Sequence, residues 1–305
     1  MRTSETWLAL ALALAAACAR GGGAGDAVAA FWVGDAGAAR VLAVSGDGRV
    51  LSVAAAAPAL DAPVRALTAR ADGSFVVLQE VAGGAPPGLL LGRDGARIAP
   101  LAATDAGGAP LFGADEPPWA AAEAADGRIW VTGRAAPVLF ERDGAYAGTA
   151  AALQFATRGV AALPDGRVLV TYGVNGAVLY AAGGASAEPL LVAVGAASYF
   201  GVDAVALRPD GGVVLAVLRH GVTTDGVLVD VALGPGSLAA TGDPEASARL
   251  PELPSAIVAG SDAIVAGPAL GSLAAPACAE VLSPDLSERR GCLAPGAHRG
   301  VARVR

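Results

Sequence analysis

The stretch TRGVAALPDGRVLVTYG, residues 157–173, sets two β-rich runs on either side of Pro-Asp-Gly. Asp-Gly between apolar runs is a strong hairpin signal, because such a turn needs a positive φ that glycine takes at no steric cost. The same shape recurs in RALTARADGSFVVL (65–78), AAAEAADGRIWVTG (120–133) and AVALRPDGGVVLAV (204–217), with a degenerate copy in SAIVAGSDAIVAG (255–267). The turn aspartates are Asp72, Asp126, Asp165, Asp210 and Asp262. Each of the first four copies is followed by a second half: LLLGRDGARI, VLFERDGAYAG, VLYAAGGASAEPLL and VLVDVALGPGSL. A unit therefore reads as two hairpins in series, a four-stranded antiparallel meander.

The ends of the chain complete the count. Residues 29–53, AAFWVGDAGAARVLAVSGDGRVLSV, supply three strands and lack a leading one. The chain finishes with RGVARVR (299–305), which matches the leading strand RGVAALP (158–164) and has nothing after it to pair with. The predicted fold is all-β: a six-bladed β-propeller of four-stranded antiparallel blades over residues 29–305, closed by the C-terminal strand. Blades are expected to start near residues 29, 63, 119, 157, 203 and 254. The closing strand is expected at Gly300 to Arg305, with Val301 and Val304 facing opposite neighbours. A β-helix would show a shorter, more uniform period, and a sandwich would not repeat.

This pattern resembles the NHL and SMP-30-like six-bladed propellers, whose units carry Asp-Gly-x-apolar-x-Val after the first strand. The resemblance covers nearly all of the chain beyond residue 28, and it is specific for architecture rather than for activity. It implies, for hydrolytic SMP-30-like members, a divalent cation held in the central channel by Glu, Asn and Asp from several blades. This chain departs from that pattern: Asn175 is its single asparagine, and the segment GVARVR brings no carboxylate. No metal and no cofactor is therefore expected.

The N-terminus reads as an export signal. In MRTSETWLALALALAAACAR, Arg2 opens a short apolar run from Trp7 to Ala17, too short for a stable membrane-spanning helix and closed by small residues. LAAAC resembles a bacterial lipobox, which implies lipidation of Cys18, although Ala15 stands where that pattern usually has Leu. Residues 1–17 are then a signal peptide, and residues 18–28, containing RGGGAG, a Gly-rich tether. The expected location is the cell envelope through the lipid anchor, with plain secretion as the alternative. Cys278 and Cys292 flank a second turn, SPDLSE, at equal distances, and an exported chain meets an oxidising compartment, so they are expected to form a disulfide.

Composition narrows the partners. The chain has 305 residues and a net charge of −7, and all 21 of its basic residues are arginine. Nucleic-acid binding wants a basic face, and here no arginine run exceeds Arg289-Arg290. Nucleic acid is excluded as an expected partner, and a membrane is expected only through the anchor. No phosphate loop or dinucleotide fingerprint follows a strand, and no serine or cysteine sits in a glycine elbow. The turn aspartates are expected to be turn residues.

What remains is the loop face opposite the Asp-Gly turns. It collects the long segments 105–119, 173–176, 195–201, 219–226 and 242–254 together with scarce residue types. The candidate binding residues are Trp119, Tyr172, Asn175, Tyr199, Arg219 and His220, with Phe200 beside them. Two functional classes stay open. One is a monomeric binding or scaffold module for a protein or small molecule. The other is a hydrolase- or lyase-type enzyme with its site at the channel mouth. Charged residues converging on that mouth would favour the enzyme, and a flat aromatic patch a protein partner.

Overall fold

The oxygen Oδ1 of Asp72 accepts the Ser74 amide at 2.9 Å, and Asp126, Asp165 and Asp210 each accept the amide two residues on at 3.0 Å. Gly73, Gly127, Gly166 and Gly211 follow them at φ of 83° to 88°. These aspartates are therefore turn residues, as their sequence context implied. The structure, a computed structural model, describes residues 29–35, 39–46, 48–56, 59–81, 85–172, 176–194, 199–219, 226–250, 253–261, 263–267, 279–293 and 298–303, with backbone alone at 199, 200, 219, 245 and 298–300. Cys18, Asn175, His220 and Cys278 lie outside the described residues, as do the segments expected to be signal peptide and tether.

The strands follow the repeats. They are β1 (Ala29–Asp35), β2 (Arg40–Ser45), β3 (Val50–Ala56), β4 (Val64–Ala69), β5 (Phe75–Gln79), β6 (Gly88–Leu91), β7 (Arg97–Pro100), β8 (Ala121–Glu123), β9 (Ile129–Val131), β10 (Val138–Phe140), β11 (Tyr146–Thr149), β12 (Thr157–Ala162) and β13 (Val168–Tyr172). They continue with β14 (Gly176–Tyr180), β15 (Ala187–Ala193), β16 (Tyr199–Leu207), β17 (Val213–Arg219), β18 (Gly226–Gly234), β19 (Ser237–Ala240), β20 (Arg249–Leu250), β21 (Ala256–Ala259), β22 (Ile264–Gly267), β23 (Ala279–Leu282), β24 (Arg289–Leu293) and β25 (His298–Arg303). The fold is all-β, with a single 3₁₀ turn among the described residues.

Four-stranded antiparallel sheets form in the orders β25-β1-β2-β3, β4-β5-β6-β7, β8-β9-β10-β11 and β21-β22-β23-β24. A nine-stranded sheet contains β12 to β15 and β16 to β19, joined through parallel pairing of the outer strands β15 and β19, with β20 on β18. That parallel seam was not legible in the sequence. It covers two edges that would otherwise stay unpaired.

The core lies between sheets, and residue parity builds it. On β5, Phe75 and Val77 pack with Trp32 and Val41, while Val76 and Leu78 pack with Ile129 and Phe140. Successive side chains point to opposite faces, so one strand serves both neighbouring sheets. This explains why β5, β6, β9 and β14 are buried at every position while outer strands such as β7 and β11 are largely exposed. Similar clusters join β9 and β10 to β13 and β14, then β13 and β14 to β17, then β17 and β18 to β22, and finally β22 and β23 to β1 and β2.

The leading strands contact one another in the cyclic order β4, β8, β12, β16, β21, β25 and back to β4. They surround a cavity of about 660 Å3. The return is made by β25, which pairs with β1 through Phe31↔Arg303, Trp32↔Ala302 and Val33↔Val301. The described part of the closing strand begins at His298, two residues before the expected start, and Val304 lies outside the described residues. The two opposite-facing residues are Val301, which packs with Val265, and Ala302, which packs with Phe75.

Some expectations need correcting. Tyr199 and Phe200 belong to β16 rather than to a loop. Segment 242–254 holds a 3₁₀ turn (Pro244–Ala246) and β20, and in segment 105–119 the side chains of Leu111 and Phe112 enter the core. Cys292 stands opposite Glu280, not opposite position 278. The β-bulge between Val281 and Leu282 shifts the pairing, so equal distance from the turn does not mean opposite position.

Deleting residues 298–305 removes a whole strand and strips β1 of a neighbour. Lost backbone pairs cost about 1–3 kcal/mol for each buried group left unpaired. The truncated protein is expected to melt about 10 °C or more below the full chain and to aggregate, as read by thermal denaturation and light scattering. Melting within about 2 °C of the full chain would show that another contact closes the seam.

Candidate functional site

The leading strands β4, β8, β12 and β16 each run into an Asp-Gly turn, so their first residues meet at the opposite end of the cavity. Trp119 stands two residues before the start of β8 and is held there by its amide, which donates to the Thr132 carbonyl at 2.8 Å. Thr132 is buried, and its hydroxyl donates to the Arg158 carbonyl on β12. Thr157 answers with a hydroxyl donated to the Arg134 carbonyl at 2.7 Å. Two threonines thus clamp the loop after β9 to the head of β12. Arg134 in turn holds the long preceding loop, through the Leu111 carbonyl at 2.8 Å and Glu116 at 3.0 Å.

On this frame the side chains of Arg65, Trp119, Arg158 and Asp203 come together, all of them half-buried. The Arg158 guanidinium lies 3.7 Å from the centroid of the Trp119 ring, and that of Arg65 lies 5.6 Å from it. A guanidinium over an indole face is attracted by the ring quadrupole. Asp203 feels the Arg158 charge, but burial is the larger influence and raises its pKa above the usual carboxylate value. The approach of β12 to β16 that allows this needs Gly159. A Cβ there would fall 2.7 Å from the Val205 amide nitrogen and 2.9 Å from two backbone atoms of Ala204. Just inside the cluster the channel narrows to a space of about 50 Å3, walled mostly by small apolar residues.

Of the residues singled out from the sequence, Trp119 sits in this cluster. Tyr172 stands opposite Thr157, next to Arg158 in the chain, and stacks on the exposed Phe155 at 5.9 Å. Tyr199 and Arg219 face each other across β16 and β17. Asn175 and His220 lie outside the described residues. Sequence reading missed Arg65, Arg158, Asp203 and Phe155.

A signal for three of those four was present. Arg65, Trp119, Arg158 and Asp203 each stand seven positions before the turn aspartate of their own repeat: Asp72, Asp126, Asp165 and Asp210. Superposing the repeats on that aspartate puts them in one column, which Ser255 continues, and the match of RGVARVR to RGVAALP sets Arg299 against Arg158.

The turn end of the channel is organised differently. Arg70 and Glu123, both nearly enclosed, pair at 3.1 Å, and the second Glu123 oxygen accepts the Ala71 amide at 2.6 Å. Arg208 holds Asp230 with two bonds of 2.7 Å. These pairs tie strands together. Among the described residues, no group of three or more His, Cys, Asp or Glu is placed to hold a metal ion.

No protein family matches this sequence, and no curated protein matches it either. Solved structures do. A protein of unknown function from Bacteroides caccae is 12% identical, with a TM-score of 0.61 over 91% of this chain and 99% of its own. A gluconolactonase from Xanthomonas campestris is 17% identical, with a TM-score of 0.54 over 79% and 84%. A virginiamycin B lyase from Staphylococcus aureus is 14% identical, with a TM-score of 0.51 over 77% and 86%. At these identities the likeness shows the fold, a β-propeller.

Because Asp203 has a raised pKa when folded, its contribution favours folding at low pH and is lost as pH rises through that value. Asp203→Asn is therefore expected to be more stable than the parent at pH 7, with the difference vanishing below the usual carboxylate range. Urea denaturation at pH 7 and pH 3 reads this out. A variant no more stable than the parent at pH 7 would mean that the attraction of Arg158 outweighs burial.

Proposed function

We propose that this protein is an exported, lipid-anchored envelope β-propeller of six NHL- or SMP-30-like blades, working as a binding module for a small molecule at the loop-side mouth of its channel. The observation that carries the binding reading is the convergence of Arg158, Arg65 and Asp203 around Trp119 at one end of the channel. Such a cluster, polar groups gathered around an aromatic ring at the end of a cavity, has the make-up of a small-molecule site rather than of a flat protein interface. The six-blade count is supported by the six leading strands that line the cavity and by the return of β25 to β1.

The anchor reading fits the direction of the chain. Phe31, near the start of β1, pairs with Arg303 at the turn end of β25, so the chain enters β1 from the turn side. A tether over residues 18–28 would reach at most about 40 Å when extended and about 18 Å on average as a flexible coil. The anchored face is then the turn face, and the mouth points away from the membrane. A disulfide between Cys278 and Cys292 belongs to the same reading, in keeping with an oxidising compartment.

Asp203 favours a second reading. A carboxyl of raised pKa beside an arginine at a channel mouth has the character of a general acid or base, so a hydrolase- or lyase-type activity is the alternative.

Crystals soaked with a small-molecule fragment library are expected to show ligands in contact with Trp119. Fragments found only elsewhere would overturn the mouth as the binding surface. Cys18→Ala is expected to release the protein from the membrane fraction. A wild-type N-terminus that mass spectrometry places elsewhere, without a lipid mass, would overturn the anchor.

A further inference from the structure

We propose that the channel mouth takes a carboxylate-bearing small molecule, gripped by Arg158 and Trp119. The inference rests on the small-molecule reading of the mouth and names the class of ligand.

Arg158 and Trp119 present donors only. Stacking commits the flat face of the Arg158 guanidinium to the indole and leaves its N–H edge for an acceptor in the plane. The Arg158 Nε and the Trp119 Nε1 are both enclosed, and neither has a hydrogen-bond partner among the described residues. A buried donor without an acceptor is costly, and two of them within one guanidinium–indole pair call for an oxygen ligand. The Trp130 Nε1 is also unpartnered, but its ring packs against Tyr180 within the apolar core; Trp119 differs in carrying a guanidinium on its face at the mouth of a cavity.

The charge balance selects the kind of oxygen. Asp203 is the carboxylate that faces Arg158, and its burial outweighs the pull of that arginine, so it is a weak counter-ion. A planar carboxylate matches the guanidinium edge with two parallel bonds. A dianionic phosphate would crowd Asp203 with like charge, and a neutral carbonyl would leave the arginine uncompensated. The narrow space beneath, walled by residues such as Ala120, Val160 and Ala204, keeps the anion at the mouth.

Calorimetric titration of the whole protein with benzoate, benzamide and inorganic phosphate tests this. Benzoate is expected to bind about tenfold or more tightly than benzamide, since a bond to a charged group is worth roughly twice a neutral one. Arg158→Gln and Trp119→Phe, checked by unchanged thermal unfolding, should each weaken benzoate about tenfold and benzamide far less. Arg158→Lys, which keeps the charge and most of the stem, guards against a folding defect; it should still prefer benzoate, at lower affinity.

Benzoate and benzamide bound equally would overturn the anion and leave the mouth as a binding site. Phosphate bound more tightly than benzoate would overturn the carboxylate on the same terms. Benzoate binding untouched by Arg158→Gln and Trp119→Phe would place the anion elsewhere and overturn the proposal. No binding of any of the three probes, with soaked fragments also absent from Trp119, would take the reading of the mouth down with it.

Discussion

The pairing of β25 with β1 is the constraint on which the rest of the structure depends. Each sheet carries apolar side chains on both faces, because residues such as Phe75 and Val76 point to opposite neighbours. A linear stack of such sheets would expose one bare face at each end. Closure removes both. The seam cluster is the result, and it includes Phe31 and Val33 from β1, Val265 from β22 and Val301 from β25. Sequence-distant ends thus supply the same interface that neighbouring repeats make elsewhere.

Closure also makes the site. Arg65, Trp119, Arg158 and Asp203 come from different repeats and share no local segment. They meet because the heads of the leading strands converge on one channel. The convergence is set by backbone: Gly159 lets β12 lie against β16, and Thr132 and Thr157 bolt the loop after β9 to β12. A substituent at Gly159 would strike main-chain atoms, which have no rotamer to yield.

The two ends of the channel differ in how their charges are satisfied. At the turn end Glu123 accepts from both Arg70 and the Ala71 amide, and Arg208 has a bidentate partner in Asp230. Arg70 and Glu123 hold two sheets to one another and Arg208 and Asp230 hold strands of one sheet, and removing one partner of an enclosed pair leaves a buried charge stranded. At the loop end the Arg158 charge is met by an aromatic face and by a carboxylate whose burial disfavours its ionised form. The repeat therefore uses its polar positions for framework at one end and leaves chemistry free at the other.

By itself the sequence determined the all-β repeat, the Asp-Gly turns, the leading-strand copies and the spare strand at the C-terminus. Those are local or periodic signals, set by glycine's access to positive φ and by the two-residue alternation of a strand. It also singled out Trp119 and placed it on the loop face. Only the tertiary structure decided that Arg158 lies on that ring with Asp203 beyond it, since in the chain they are ordinary residues heading ordinary repeats. It alone decided that β15 and β19 pair in parallel, that Leu111 and Phe112 turn into the core, and that Glu280, not position 278, stands opposite Cys292. Each of those depends on a register or a packing contact between distant segments, and periodicity carries no information about register once a β-bulge has shifted it.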